Sequence, residues 1–182
     1  MLPWKTIDSH YLLKRRWINL REDHVRLANG TELDSFYVVE YPDWVAVLCF
    51  TEEGQVVMVE QYRHGIQQVT LEFPAGAIDQ GEQPSLAARR ELLEETGYVA
   101  EEWVSLGRCA PNPSKHTNFA HLFLARDARL IHAPHLDKSE AIEVRLLDVA
   151  EVLQKADAGE IQHSTHLAAL FKAQHRGLLP RT

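Results

Sequence analysis

The stretch from Gly76 to Tyr98 constrains this chain more than any other, because it joins a glycine-containing loop to a segment crowded with carboxylates. The composition of Leu86–Thr96 is typical of a helix. Pro84 stands near the expected start, and Gly97 stands where a left-handed residue commonly ends a helix. The sequence therefore predicts a loop followed by a helix with a defined end.

Three glutamates crowd one side of this predicted helix. At about 100° per residue, Glu91, Glu94 and Glu95 fall within an arc of roughly 100°. Like charges at this spacing destabilise a bare helix by roughly 0.2–0.5 kcal/mol per pair. Mg²⁺ is usually held by a few carboxylates together with substrate phosphates. The pattern therefore predicts a cation site, while a solvated acidic helix is the ordinary alternative for a glutamate-rich run.

Bulk properties limit the classes of protein to consider. The 182 residues suit one domain with a small extension. A net charge of −7 argues against nucleic acid or an anionic membrane as a partner. The N-terminus lacks the apolar run of a signal peptide, and no stretch has the roughly 18 apolar residues of a membrane helix. Cys49 and Cys109 lie in apolar contexts, which favours buried free thiols and a cytoplasmic location.

Pro42 marks a predicted boundary between an N-terminal antiparallel β unit, residues 1–42, and a main domain, residues 43–182. In the first part, Asn29-Gly30 separates two strand-like runs and predicts a hairpin. An isolated hairpin is marginal in water, so this unit is expected to pack on the main domain or on a second subunit. In the main domain, the apolar runs at 44–50 and 56–62 predict central strands in an α/β (α+β) fold with a mixed sheet.

The same stretch carries a family resemblance. It resembles the Nudix box, G-x5-E-x7-R-E-U-x-E-E-x-G-U, in which U is bulky and apolar. Its seven fixed positions would coincide by chance with a probability on the order of 10⁻⁸. The resemblance implies an α/β/α sandwich that hydrolyses nucleoside diphosphate compounds with Mg²⁺ or Mn²⁺. The matching residues are Gly76, Glu82, Arg90, Glu91, Leu92, Glu94, Glu95, Gly97 and Tyr98.

This interpretation assigns roles within the box. We expect Glu91 and Glu95 to bind the metal directly, and Glu94 to share it as a catalytic group. The resemblance places the Ala75 carbonyl beside them. Glu82 is expected to complete the shell through water. The residues with a structural role are then Gly76, Glu82, Arg90 and Gly97, with Arg90 holding a glutamate through an ion pair.

A wider resemblance extends over nearly the whole chain. The runs YPDWV at 41–45, VEQYR at 59–63 and LEFPAG at 71–76 are similar to the ADP-ribose pyrophosphatase branch. That branch hydrolyses ADP-ribose and other nucleoside diphosphate sugars, and its homodimers exchange the N-terminal β unit. Ser114 follows Pro113 where the branch commonly has glycine. The branch resemblance favours ADP-ribose as the substrate, and the departure at Ser114 leaves GDP-mannose and other sugars open.

Several residues outside the box are candidate substrate contacts. Arg63 ends a predicted strand, where it would bind a phosphate or form a surface ion pair. Glu72, in the LEFPAG run, is a further substrate-binding candidate. An aromatic residue is expected to stack on the base, and core packing is the alternative for each candidate. These aromatic candidates are Trp17, Tyr37 and Trp44.

The general base is expected outside the box, because metal ligands are poor bases. Glu140 matches a mobile glutamate loop of the similar enzymes and is the first candidate. Glu143 is the second, since alternation around Ile142 and Val144 turns it away from the core. The alternative is that both glutamates are solvent-facing charges without a catalytic role. In that case the box or a bound hydroxide alone activates the water.

Two further functions are compatible with the box. One is a non-catalytic sensor that binds nucleotide sugars, although such a protein would be expected to lose box carboxylates. The other is a Nudix enzyme for nucleoside triphosphates or capped RNA. The N-terminal unit and the loop at 111–113 favour the diphosphate sugar class.

Overall fold

The computed structural model describes residues 2–136 and 141–180. They divide into two compact units. The first contains the residues up to Asp43 together with Ala110–Phe119. The second contains Trp44–Cys109 and the residues from Ala120 onward. The loop at 110–119 thus joins the N-terminal unit, a long-range association that local composition does not predict.

An antiparallel sheet forms most of the first unit. Its hairpin turns at Gly30, whose φ of 89° favours glycine, as Asn-Gly predicts. Val39 donates to the Lys115 carbonyl at 2.8 Å and accepts from the Thr117 amide at 3.2 Å, so the loop at 110–119 pairs with the last strand. The sequence predicts only two strands here, because the first strand is largely exposed and has no sustained apolar run. The strands, in spatial order, are β1 (Lys5–Lys14), β2 (Asn19–Arg26) and β3 (Glu32–Glu40).

A mixed seven-stranded sheet forms the centre of the second unit. The main strand order is β10-β5-β4-β9-β8, with β6 on β5 and β7 on β4. Strands β4 and β9 are parallel, and the other pairs are antiparallel. The strands are β4 (Trp44–Thr51), β5 (Val56–Arg63), β6 (Gln68–Glu72), β7 (Ala75–Ala77), β8 (Tyr98–Cys109), β9 (Ala120–Leu130) and β10 (Ile142–Leu147).

Helices cover both faces of this sheet. Val45 and Val47 of β4 pack in one apolar cluster with Leu92 of α1 (Pro84–Thr96). Their neighbours Ala46 and Leu48 point to the opposite face, into a cluster that includes residues of α2 (Val149–Asp157) and α3 (Ser164–His175). This period of two along a doubly buried strand confirms the α/β/α sandwich. No helix among the described residues is both long and apolar enough to cross a membrane.

Helix α1 ends abruptly at Gly97. This residue has φ 75° and ψ 4°, and its amide donates to the Leu93 carbonyl at 2.8 Å. Its carbonyl accepts from the Ile131 amide at 3.0 Å. A Cβ at this position would lie well within the 3.0 Å that real Cβ contacts keep from the His132 carbonyl oxygen. The C-terminal end of α1 is therefore fitted against the chain that follows β9.

Replacing Gly97 with alanine is expected to lower the free energy of unfolding by about 2–5 kcal/mol. About 1–2 kcal/mol comes from the left-handed conformation, and about 1–3 kcal/mol comes from displacing the His132 carbonyl. Gly159→Ala is the matched control, because Gly159 has φ 76° but its Cβ would meet nothing within 4 Å. Urea denaturation of both variants measures the difference. Equal losses would show that the contact with His132 costs nothing.

Candidate active site

Strand β7 lies directly against two buried glutamates of α1. Gly76 has no side chain, and a Cβ there would overlap the Glu91 carboxylate. The Ala75 amide donates to Glu95 Oε2 at 2.9 Å. Glu91 is 8% exposed and Glu95 is 4% exposed. Glycine and alanine thus allow the backbone to approach two carboxylates that the helix keeps out of bulk water.

Arg90 binds three glutamates, Glu82, Glu91 and Glu94, which together form a carboxylate cluster. Its guanidinium donates to both oxygens of Glu82 at 3.0 and 2.9 Å, to Glu91 at 2.7 Å and to Glu94 at 3.1 Å. A fifth hydrogen bond, 3.0 Å long, reaches the Ala77 carbonyl. An arginine side chain has five donors, so these bonds match its whole capacity. Its arrangement is that of an ion pair that orients glutamates rather than of a phosphate ligand.

The ion pairs change the acidity of both partners. Hydrogen bonds with Glu82 and Glu91 raise the pKa of Arg90 above its ordinary value, despite the opposing effect of burial. The hydrogen bond from Arg90 is the largest of the effects that hold the pKa of Glu82 below its usual value. The Asp79 amide also donates to Glu82 at 3.0 Å. Glu82 therefore ties the loop before α1 to the arginine on the helix.

The residues present fit a divalent cation in their donor chemistry. Glu91, Glu94, Glu95 and the Ala75 carbonyl offer the oxygen ligands that Mg²⁺ prefers. Within residues 2–136 and 141–180, no group of three or more His, Cys, Asp or Glu side chains is arranged so that these side chains alone could hold a metal ion. Mg²⁺ usually completes its coordination with water and substrate phosphates, so a partial set of protein ligands is compatible with it.

Glu94 differs from the two buried glutamates. Its side chain is about half exposed, and it lines an open cavity of about 510 Å³. Its backbone carbonyl accepts from the His135 amide at 2.8 Å. This places an acidic side chain where a solute has access to it. The residues that line the cavity are Leu93, Glu94, His132, Ala133 and His135.

Arg63, the last residue of β5, and Glu72, the last residue of β6, form a second ion pair along these two strands, in whose register Glu72 lies opposite Val59. Arg63 Nε donates to Glu72 at 2.7 Å, and its Nη2 contacts the other carboxylate oxygen. The Thr70 hydroxyl also donates to Glu72. Burial alone would raise the pKa of Glu72, but these hydrogen bonds outweigh it and keep the pKa below its usual value. The Arg63 side chain is 40% exposed, whereas the Glu72 side chain is almost fully buried.

A stack of aromatic and imidazole rings lies under this part of the sheet, and the sequence interpretation misses it. His163 and His166 stack at 4.5 Å between ring centroids, and Phe73 stacks on His166 at 5.5 Å. Trp44 packs against His163 at 4.7 Å. Burial lowers the pKa of His166 to about 3, which keeps it neutral. The available signal is the spacing of two histidines at i and i+3 near the start of an apolar helix.

The other sequence candidates are spread over the chain. Trp44 packs in the core cluster of the second unit. Trp17 and Tyr37 lie in the first unit with about half of each residue exposed, and the Arg16 guanidinium stacks on Trp17 at 4.5 Å. Glu143 is exposed on β10 and accepts from Arg145 at 2.9 Å.

Glu140, the first candidate for the base, lies outside the described residues.

Two protein-family models match the chain. The NUDIX domain model matches residues 40–169. The model of the nucleoside diphosphate sugar hydrolase N-terminal domain matches residues 4–39. Together the two models account for most of both structural units.

Curated relatives and solved structures agree with these matches. An ADP-ribose pyrophosphatase of Bacillus subtilis is 32% identical over 88% of this chain and 86% of the relative. A methanol dehydrogenase activator of Bacillus methanolicus is 35% identical over 91% of this chain and 90% of the relative. A GDP-mannose pyrophosphatase of Cronobacter sakazakii is 27% identical over 96% of this chain and 94% of the relative. A crystal structure of an ADP compounds hydrolase shares the fold, with a TM-score of 0.83, 19% identity and 98% of both chains covered.

The contact between Gly76 and Glu91 predicts a selective effect of one methyl group. Gly76→Ala is expected to push the Glu91 carboxylate aside and to weaken Mn²⁺ binding at least about tenfold. The free energy of unfolding should change by less than about 1 kcal/mol, because the end of a flexible side chain can move. Calorimetric titration and urea denaturation measure the two effects.

Gly65→Ala is the matched control for this variant, since a Cβ there meets nothing within 4 Å. Unchanged Mn²⁺ affinity in Gly76→Ala would show that the Glu91 carboxylate does not bind the metal.

Proposed function

The chain belongs to the Nudix hydrolase family, and on that premise we propose that it cleaves the diphosphate bond of nucleoside diphosphate sugars. ADP-ribose is the favoured substrate, and Mg²⁺ or Mn²⁺ is the cofactor. The products are a nucleoside monophosphate and a sugar phosphate. One observation carries this proposal: the backbone of β7 at Ala75 and Gly76 meets the buried carboxylates of Glu91 and Glu95.

The substrate class is supported by the first unit. Residues 4–39 match the N-terminal domain of nucleoside diphosphate sugar hydrolases, and relatives at 32% identity carry the name ADP-ribose pyrophosphatase. GDP-mannose is the second candidate, because two GDP-mannose pyrophosphatases align over nearly the whole chain. Ser114, which stands where the ADP-ribose branch commonly has glycine, also supports keeping this second substrate.

Hydrolysis forms a bond from a water oxygen to phosphorus and breaks the bond from that phosphorus to the bridging oxygen. The negative charge of the diphosphate opposes both events. A bound divalent cation neutralises this charge and lowers the pKa of water. In the proposal, Glu91, Glu94, Glu95 and the Ala75 carbonyl hold the cation. Arg90 directs the first two of these carboxylates through its hydrogen bonds.

We assign recognition of a substrate phosphate to Arg63. Its Nε and Nη2 hold Glu72, so the plane of the guanidinium is fixed while its exposed side faces solvent. A planar guanidinium in a fixed orientation suits a phosphate. Glu72 is nearly fully buried, so it acts through Arg63. Trp17 and Tyr37 remain the proposed stacking residues for the base, because Trp44 is occupied in core packing.

Glu140 remains the proposed general base, with Glu143 as the second candidate. The base receives the proton that the attacking water loses. Glu143 already pairs with Arg145, which also holds Glu60 at 2.8 Å, and this commitment favours Glu140. If neither residue is needed, the cation that Glu91, Glu94 and Glu95 would hold would make the attacking water acidic enough to react without a protein base.

We also propose a homodimer formed through the first unit. Its sheet exposes large apolar side chains, which a stable monomer usually covers. Trp4, Tyr11 and Leu12 are each 43–49% exposed, and Trp17 is 53% exposed. A second copy of the chain is the proposed occupant of this surface, because the matched N-terminal domain accompanies dimer formation in the enzymes that this chain resembles.

A substrate panel tests the proposed reaction. The protein is expected to convert ADP-ribose to AMP and ribose phosphate with a higher kcat/KM than GDP-mannose or nucleoside triphosphates. Removal of divalent cations with EDTA should abolish turnover, and added Mg²⁺ should restore it. Chromatography of the nucleotide products measures each rate. Binding of nucleotide sugars without any turnover would instead identify a sensor.

Glu95→Gln and Glu140→Gln separate metal binding from base catalysis. Glu95→Gln should lower kcat by orders of magnitude and weaken Mn²⁺ binding. Glu140→Gln should lower kcat while Mn²⁺ affinity stays close to that of the parent, and it should alter the acidic limb of the pH–rate profile. Glu101→Gln is the control, since Glu101 is an exposed residue of β8.

Near-normal turnover of Glu95→Gln at saturating Mg²⁺ would remove Glu95 from the ligands. A large loss in Glu143→Gln alone would move the base to that residue.

Light scattering at micromolar concentration is expected to give twice the chain mass of 20.8 kDa. Leu12→Glu should shift the protein towards the monomer, because it places a charge in the proposed interface. Leu130→Glu is the control, as Leu130 is 59% exposed in the second unit. A fully active monomer of the parent protein would refute the dimer.

A further inference from the structure

A two-residue junction joins the proposed phosphate-recognition and metal-binding groups. Phe73 and Pro74 lie between β6, which ends at Glu72, and β7, which begins at Ala75. The Phe73 amide donates to His166 Nδ1 at 3.2 Å rather than to a neighbouring strand. The Pro74 carbonyl accepts from the Val47 amide at 2.9 Å. The junction is therefore held by α3 on one side and by β4 on the other.

The hydrogen bond from Phe73 determines which ring nitrogen of His166 carries the proton. A backbone amide is only a donor, so Nδ1 must be an unprotonated acceptor and the ring proton must lie on Nε2. This Nε2 is buried and has no hydrogen-bond partner among the described residues. A buried donor without a partner costs stability, which an apolar side chain would avoid. The acceptor at Nδ1 is thus what distinguishes histidine from an apolar residue here.

The junction transmits orientation because it has little conformational freedom. The ring of Pro74 fixes its own φ near about −65° and restricts Phe73 to extended conformations. Each peptide group is planar. The direction of the Phe73 amide therefore limits the direction of the Ala75 peptide. The Ala75 amide is in turn bonded to Glu95 Oε2 at 2.9 Å.

We propose that His166 is a positioning residue that acts through Phe73 to direct the Ala75 carbonyl and the Glu95 carboxylate at the metal site. The residue is fully buried, so it touches neither substrate nor solvent. Its effect reaches Glu72 as well, on the other side of the same junction. This inference rests on the proposed metal-binding role of Ala75 and Glu95.

The neighbouring rings support a fixed orientation of the imidazole. His166 is stacked on Phe73 with an interplanar angle of 29° and on His163 with an angle of 18°. The His163 ring has its own bond, 2.8 Å long, with the Thr165 hydroxyl. The two histidines therefore differ in function: His163 fills space beside the ring, whereas His166 supplies the acceptor.

Two polar substitutions of His166 test the position of the acceptor. The side-chain oxygen of asparagine approximates Nδ1, whereas that of glutamine approximates Nε2. His166→Asn should keep Mn²⁺ affinity within about threefold of the parent, whereas His166→Gln and His166→Leu should weaken it about 10–100-fold. Calorimetric titration without substrate measures this affinity. His163→Leu is the control that removes the stacked ring but leaves the bond to Phe73.

Hydrogen exchange of the Phe73 amide provides the second readout. Protection should persist in the parent, His166→Asn and His163→Leu, and it should be lost in His166→Gln and His166→Leu. Should the leucine variant fail to fold, the asparagine and glutamine pair decides the outcome. Equal Mn²⁺ affinities and equal exchange in that pair would overturn the positioning role and leave His166 as a core residue.

These readouts do not depend on turnover. A parent protein that hydrolyses no nucleotide sugar would refute the proposed function, while the Mn²⁺ affinities would still test His166.

Discussion

The five-bonded guanidinium of Arg90 is the interaction on which the rest of the site depends. It gathers Glu82, Glu91 and Glu94 around one positive charge and attaches the helix to the Ala77 carbonyl. Three carboxylates against one cation leave a net charge of 1 − 3 = −2, before the buried Glu95 is counted. Such a charge is costly in a partly buried site, and a bound divalent cation would offset it. Arg90 thus preserves the geometry of the carboxylates without neutralising them fully.

Small residues make this electrostatic arrangement sterically possible. Ala87 and Ala88 of α1 are fully buried in the cluster that also contains Val45 and Val47 of β4. Gly76 then allows β7 to approach the Glu91 carboxylate. Gly76 contributes no side-chain packing, but any larger residue at this position would occupy the space of the Glu91 carboxylate. On this face of the sheet, the packing of the sandwich therefore also determines the placement of the proposed metal ligands.

The sequence predicts the central strands, α1 and the carboxylate cluster because each depends on neighbours close in the chain. Glu91 and Glu95 lie one turn apart, and the continuous burial of β4 follows from its apolar run. Strand β1 and the partner of Phe73 are missed for a different reason. The apolar residues of the exposed β1 do not follow one strict alternation, and His166 has a polar side chain whose complete burial depends on Phe73, 93 residues away. The local sequence does not specify the partner in such a tertiary contact.

The segment Glu72–Ala75 connects the two chemical tasks of the proposed enzyme. Its first residue is a buried carboxylate held by Arg63 and Thr70, and its last donates to a buried carboxylate of α1. Removing Arg63 would leave the charge of the buried Glu72 uncompensated, at a cost below the roughly 3–5 kcal/mol of a fully buried pair because the Arg63 side chain is 40% exposed. The Arg63–Glu72 pair therefore contributes to stability as well as to the proposed recognition of substrate. A rigid link of this kind would hold the proposed phosphate-recognition and metal-binding groups in a fixed relative position, since neither end moves without breaking a buried bond.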